Sequence, residues 1–169
     1  MGLLLRISKI LDIVVSRIGN WAAWLCIPLI LIIVFDVITR RFLVLGSTKL
    51  QEMEWHLFSV IILYGVSVAL KDEGHVRVDF LYEKFSVRKK AMINILGTVF
   101  FLLPLALLVA TGSVEFVMDA YTMGEISEDP GGLTHRWIIK SMIPLSFIFL
   151  IFSSIGYVVK NINIYRGAN

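Results

Sequence analysis

Charged side chains in this chain are confined to the gaps between four apolar stretches. Residues 18–35, 55–70, 91–114 and 141–159 contain no Asp, Glu, Lys or Arg and run to 18, 16, 24 and 19 residues. A helix needs roughly 20 mainly apolar residues to cross a hydrocarbon core of about 30 Å. No water is present there to take up backbone N–H and C=O groups, so only segments that satisfy them internally can span. The pattern predicts an all-α integral membrane protein with four transmembrane helices, over about 18–39, 51–70, 91–116 and 137–159. No linker, repeat or low-complexity tract divides residues 1–169, so one membrane domain is expected.

Composition supports that class. Hydrophobic residues make up 57% of the chain and charged residues 17%, against about 25% charged in soluble domains. The net charge of +3 could suit nucleic acid. The basic residues flank the apolar runs, however, which points to the membrane surface and to no nucleic acid. Cys26, the single cysteine, lies inside the first run and reads as a packing residue. Arg6, Lys9 and Arg17 imitate the basic start of a signal peptide. The run after them is longer than a typical signal core and lacks a small-x-small cleavage site before Asp36, so a permanent span is expected.

Residues 1–17 form an amphipathic N-terminal segment, apolar at positions 3, 4, 7, 10, 11, 14 and 15 with Arg6, Lys9, Asp12 and Arg17 between them. This helical spacing suits a helix in the headgroup region, and equally an extension of the first span. With a cytoplasmic N-terminus, inside segments hold 11 Lys and Arg residues and outside segments hold 5. The positive-inside rule then places both termini in the cytoplasm, with the Arg40/Arg41 pair pulling the other way. The connection 71–90 carries Phe80, Leu81, Tyr82 and Phe85 beside Arg88, Lys89 and Lys90. An interfacial helix there, its basic cluster on phospholipid, is the expected arrangement. Pro28, Pro104 and Pro144 each fall inside a span and predict local kinks.

The residues for catalysis are not assembled. His56, His75 and His135 sit at different ends in this topology, so no bis-histidine haem site is expected. No zinc, nucleophile-elbow or phosphate-loop motif occurs either. We therefore expect no catalytic residues, no metal and no cofactor. Intramembrane ionisable residues usually mark transport sites. Here the middle of each span offers only small polar groups such as Ser59, Ser67, Asn94, Thr98 and Ser146, so no substrate-binding residues are assigned. Gly65 with Ala69, Ala106 with Ala110, and Ser153, Ser154 and Gly156 are small-residue clusters suited to close helix packing, within the bundle or against a partner. The densest charge group is Asp36, Arg40, Arg41, Glu52, Glu54 and His56. Asp36 and Arg40 are spaced i,i+4 for pairing. The remaining carboxylates are expected either to take Arg40 or Arg41 as partner or to reach water.

Several short motifs in order resemble one family. Arg40-Arg41-Phe42, Gln51-Glu52-Met53-Glu54-Trp55, Gly74-His75-Val76-Arg77-Val78-Asp79 and Asp129-Pro130-Gly131-Gly132-Leu133, followed by Arg136-Trp137 and Lys140, are similar to the small membrane subunit of TRAP transporters, the tripartite ATP-independent periplasmic family (DctQ type). The resemblance implies a bacterial inner-membrane complex in which a periplasmic binding protein delivers an organic acid to a large, elevator-type subunit driven by sodium. The small subunit would brace that large subunit and bind no substrate. It implies a partner interface over Arg40, Arg41, Glu52, Glu54, Trp55, His56, Gly65 and Ala69, and a docking surface for the binding protein at Glu125, Glu128 and Asp129. The readings from other classes are a membrane anchor of a haem- or quinone-linked oxidoreductase and an independent four-span exporter.

Overall fold

A computed structural model describes residues 2–72 and 85–167, with side chains described at residue 6 and from residue 8 onward. The Gly74–Asp79 motif, and most of the segment expected to form an interfacial helix, lie outside the described residues. Among the described residues six α-helices follow one another: α1 Gly2–Trp24, α2 Cys26–Phe42, α3 Thr48–Lys71, α4 Val87–Gly97, α5 Leu103–Thr122 and α6 Trp137–Gly167, with a π turn at Thr98–Leu102 joining α4 to α5. No strand occurs among the described residues. Four continuous or nearly continuous units are long and apolar enough to cross a membrane: Ser8–Phe42, Thr48–Lys71, Val87–Thr122 and Trp137–Gly167.

Prolines account for the interruptions. Pro28 has no N–H to offer Trp24, and its ring crowds that carbonyl. The hydrogen-bond ladder is interrupted at Leu25, which keeps helical dihedrals but whose N–H donates three residues back to Ala22 O at 3.1 Å. It resumes with Leu29 N–H donating to Leu25 O at 3.1 Å. Pro104 has the same effect on Phe100. There the helix widens instead of breaking, and Leu103 N–H reaches back five residues to Thr98 O. A π turn absorbs one extra residue while keeping most backbone groups paired, which suits a proline inside a membrane span. Pro144 sits within α6 without an interruption.

α6 is the hub. It packs against α1, α3, α4 and α5, whereas α2 rests mainly on α3. The buried positions of α6 include Ser146, Phe149, Leu150, Ser153, Ser154, Tyr157 and Asn161, which recur every three to four residues. Lipid provides no hydrophobic drive between helices, so close backbone approach and interhelical hydrogen bonds hold them. Both are present. Ser153 Oγ donates to Ser67 O at 2.8 Å, and Asn94 Nδ2 donates to Asn161 Oδ1 at 2.9 Å. Ala106 is fully buried in a cluster with Leu70, Leu150 and Tyr157.

α1 is tied to this bundle by a seam of small and polar residues. Ser8, Val15, Gly19 and Ala22 are buried on one face. Ser8 Oγ donates to Gly156 O at 3.2 Å, and Lys71 Nζ donates to Ser16 Oγ. Gly19 is a requirement of the packing: a Cβ there would overlap Val68 Cγ2. Ile10, Ile13, Trp21 and Trp24 are exposed on the helix.

Candidate functional site

The loops 43–47 and 123–136 lie at one end of the bundle, where α3 begins and α6 begins. The first loop is short and apolar. Phe42, Leu43, Val44 and Leu45 are all exposed, and Val44 is held at φ +55°.

The second loop is built by its sequence. Gly124 adopts φ +61° just past the end of α5, and Glu125 N–H returns to Ala120 O at 2.9 Å, a left-handed helix stop that glycine accepts at no steric cost. Asp129-Pro130-Gly131-Gly132 then forms a tight turn closed by Gly132 N–H on Asp129 O at 3.0 Å. Proline in second place and Gly131 at φ +78° in third fit a type II turn. Ser127 N–H to Leu133 O at 3.0 Å, and Arg136 N–H to Glu125 O at 3.2 Å, close the strands of the loop below that turn.

A side chain from α3 secures the whole. Glu52 accepts a hydrogen bond from Ser127 Oγ with one oxygen and from the Leu133 N–H at 2.5 Å with the other. Ser127 Oγ also accepts from the Asp129 N–H at 3.2 Å. Gly132 leaves room for this arrangement: a Cβ would overlap Ser127 and stand 2.8 Å from Glu52 Oε2. At the base of the loop Glu125 takes Lys140 and lies 3.7 Å from Arg136, and the Lys140 ammonium sits 3.8 Å from the centre of the Phe116 ring. Of the three acidic residues expected to face a binding protein, Glu125 is thus turned to the bundle. Glu128 and Asp129 are exposed at the turn.

Below the loop, α3, α5 and α6 enclose an open groove of about 760 Å³. Its floor is apolar, with Phe58, Ile62, Phe116 and Ile143, and its rim is charged, with Glu52, Asp129, Arg136 and Lys140. His56 and Trp55 line it too, and Trp55 is 69% exposed. Farther along α3, Gly65 is open: a Cβ there meets nothing within 4 Å. Ala69, one turn on, is partly buried. The other small clusters are used up internally, since Ala106, Ala110, Ser153, Ser154 and Gly156 are buried.

The remaining sequence candidates separate. Arg40 pairs with Asp36 along α2, and Asp36 is 1% exposed. Glu52 turns to the loop, where a hydroxyl and a backbone N–H satisfy it. Arg41 is exposed. Glu54 Oε1 and Asp36 Oδ1 are buried with no hydrogen-bond partner among the described residues. Arg88, Lys89 and Lys90 open α4 behind the Ser86 cap, with Arg88 4.5 Å from the centre of the Tyr165 ring. Ser127, Gly132, Leu133 and Lys140 belong to the loop assembly but not to the sequence-derived site. Gly132, Leu133 and Lys140 do stand in the motif that resembles the family, without an assigned role, whereas Ser127 has no signal in the sequence.

A family profile described as "Tripartite ATP-independent periplasmic transporters, DctQ component" matches residues 29–163, most of the chain. The chain belongs to the DctQ family. DctQ proteins are small membrane subunits that work with a large membrane subunit and a binding protein in tripartite transporters. Comparison with curated proteins gives no significant match. The DctQ match begins in α2 and ends in α6, so α1 precedes the matched region while its partners Val68, Lys71 and Gly156 lie within it.

Proposed function

We propose that this DctQ subunit is the immobile brace of a TRAP transporter, holding the large elevator-type subunit during sodium-driven uptake of a small organic acid. The observation that carries the reading is the open small-residue face at Gly65 and Ala69 on α3, the helix that also carries exposed Trp55. In a membrane such a face lets a partner helix approach closely. The large subunit is the partner, and Glu54 and the Asp36–Arg40 pair border the same contact. The charge-free spans contain no carboxylate at mid-depth to hold a coupling ion, so substrate and sodium sites belong to the large subunit. Both termini are cytoplasmic. The loops 43–47 and 123–136 face the periplasm, and Arg88, Lys89 and Lys90 lie against anionic phospholipid on the other side.

The test is reconstitution. Vesicles carrying the complete complex with binding protein and a sodium gradient should accumulate substrate, and vesicles with this chain alone should not. Failure of the chain to co-purify with the large subunit, or uptake by the chain alone, overturns the reading.

In the same proposal the binding protein docks on Glu128 and Asp129. Reversing both charges, Glu128→Lys with Asp129→Lys, should weaken its binding to the reconstituted complex. Exposed charges are screened over roughly 8 Å at 0.15 M salt, so the loss should shrink as salt is raised. Equal affinity for the variant and the unmodified complex at low salt would remove Glu128 and Asp129 from the docking surface.

A further inference from the structure

The docking turn owes its shape to a residue that does not lie on it. We infer that Glu52, carried by membrane helix α3, is the positioning residue for the acidic turn at Glu128 and Asp129. The inference rests on the docking proposed above.

The geometry separates holding from touching. The two carboxylate oxygens of Glu52 grip Ser127 and Leu133, the residues on either side of the 128–132 turn. Those same two residues are joined by the Ser127 N–H to Leu133 O bond, so Glu52 closes the neck of the turn. From Ser127 Oγ the contact passes to the Asp129 N–H at 3.2 Å, so one chain of hydrogen bonds runs from the helix to an exposed acid. Gly132 is the complement: any side chain there would displace Ser127 or the carboxylate. A carboxylate suits the task because it accepts at both oxygens and donates at neither. Glutamine could accept through one oxygen only.

An exposed loop of this length would otherwise sample many conformations, and a partner would have to select the right one. Holding it in place beforehand removes that ordering cost from binding. Glu52 therefore acts on docking through the loop conformation and not as a surface charge.

The experiment uses the complete complex in nanodiscs with purified binding protein over a salt series. Glu52→Ala should weaken docking by about tenfold, the scale of an ordering cost of one or two side chains. Glu52→Gln should fall between. The slope of affinity against salt should stay as in the unmodified complex, whereas Glu128→Lys with Asp129→Lys flattens it. Amide exchange at Asp129 and Leu133 should quicken in Glu52→Ala, and Ser127→Ala should add little on that background, because both break the same chain. Unchanged affinity in Glu52→Ala, or a salt slope altered as in the Glu128/Asp129 variant, overturns the inference. If Glu52→Ala prevents assembly with the large subunit, Ser127→Ala removes one of the two bonds of the grip from the loop side, and its smaller loss of affinity is judged by the same criteria. If reversing Glu128 and Asp129 leaves docking intact while Glu52→Ala weakens it, the docking assignment fails and Glu52 is not positioning those acids.

Discussion

Gly65→Leu should leave the isolated subunit folded and abolish its recovery with the large subunit. Within the chain a Cβ at this position meets nothing within 4 Å. Glycine in a helix interior is worth about 1 kcal/mol less than a good helix former, so the thermal midpoint of the purified subunit should hold or rise. In the complex the same leucine stands where a partner helix approaches. Overfilling a close contact costs about 1–3 kcal/mol, equivalent to a loss of affinity of roughly tenfold to a hundredfold. Uptake should fall with assembly. Size-exclusion of the co-expressed complex, beside a melting curve of the subunit alone, reads both quantities. Normal assembly of Gly65→Leu would show that this face of α3 meets lipid and not the large subunit.

Gly19→Leu should have the opposite signature, a defect already present in the isolated subunit. The new Cβ would overlap a methyl group of Val68. Val68 is β-branched and has little rotamer freedom inside a helix, so either the side chain is strained or α1 lifts. Overpacking of this kind costs about 1–3 kcal/mol. The other anchors of α1 include buried Val15 and Ala22 and the Ser8–Gly156 and Lys71–Ser16 hydrogen bonds. The expected outcome is a lower melting point and faster protease cleavage at Arg6, Lys9 and Arg17, the basic residues of α1 ahead of the charge-free run. Combining Gly19→Ala with Val68→Ala should restore most of the stability, because the second change removes the methyl group that the first one meets. A stable, protease-resistant Gly19→Leu would mean that α1 is not held at this seam.

The bundle itself was largely readable from sequence. Hydrocarbon imposes a length and an absence of charge, and both are written locally in the apolar runs. The i,i+4 pair of Asp36 and Arg40 was equally legible, because a helix fixes the geometry between its own residues. What could not be read were contacts made across the chain. Glu52 looks from sequence like a carboxylate in need of an arginine. Its actual donors are a serine hydroxyl and a backbone N–H located 75 and 81 residues away, and a backbone N–H has no sequence signature. The seam of α1 was hidden in a similar way. Its periodic leucines, isoleucines and valines drew the eye to an apolar face, while the tightest contact is made by Gly19. The three small-residue clusters were indistinguishable as patterns, and only the packing shows that Gly65 remains open while the others are filled. Pro104 forecast a disturbance but not its form. A helix can break, as at Leu25, or widen, as at Thr98–Leu102, and neighbouring packing decides between them.

The central position of α6 has a consequence for how the protein is made. The helix on which α1, α3, α4 and α5 converge is the last of the described helices to leave the ribosome. Ser8 emerges 148 residues before its acceptor Gly156. At synthesis rates of about 5–20 residues per second, Ser8 waits roughly seven to thirty seconds for that acceptor. During that interval α1 is left with its contacts to α3, Gly19 against Val68 and Ser16 with Lys71, and the bundle is completed once α6 is inserted.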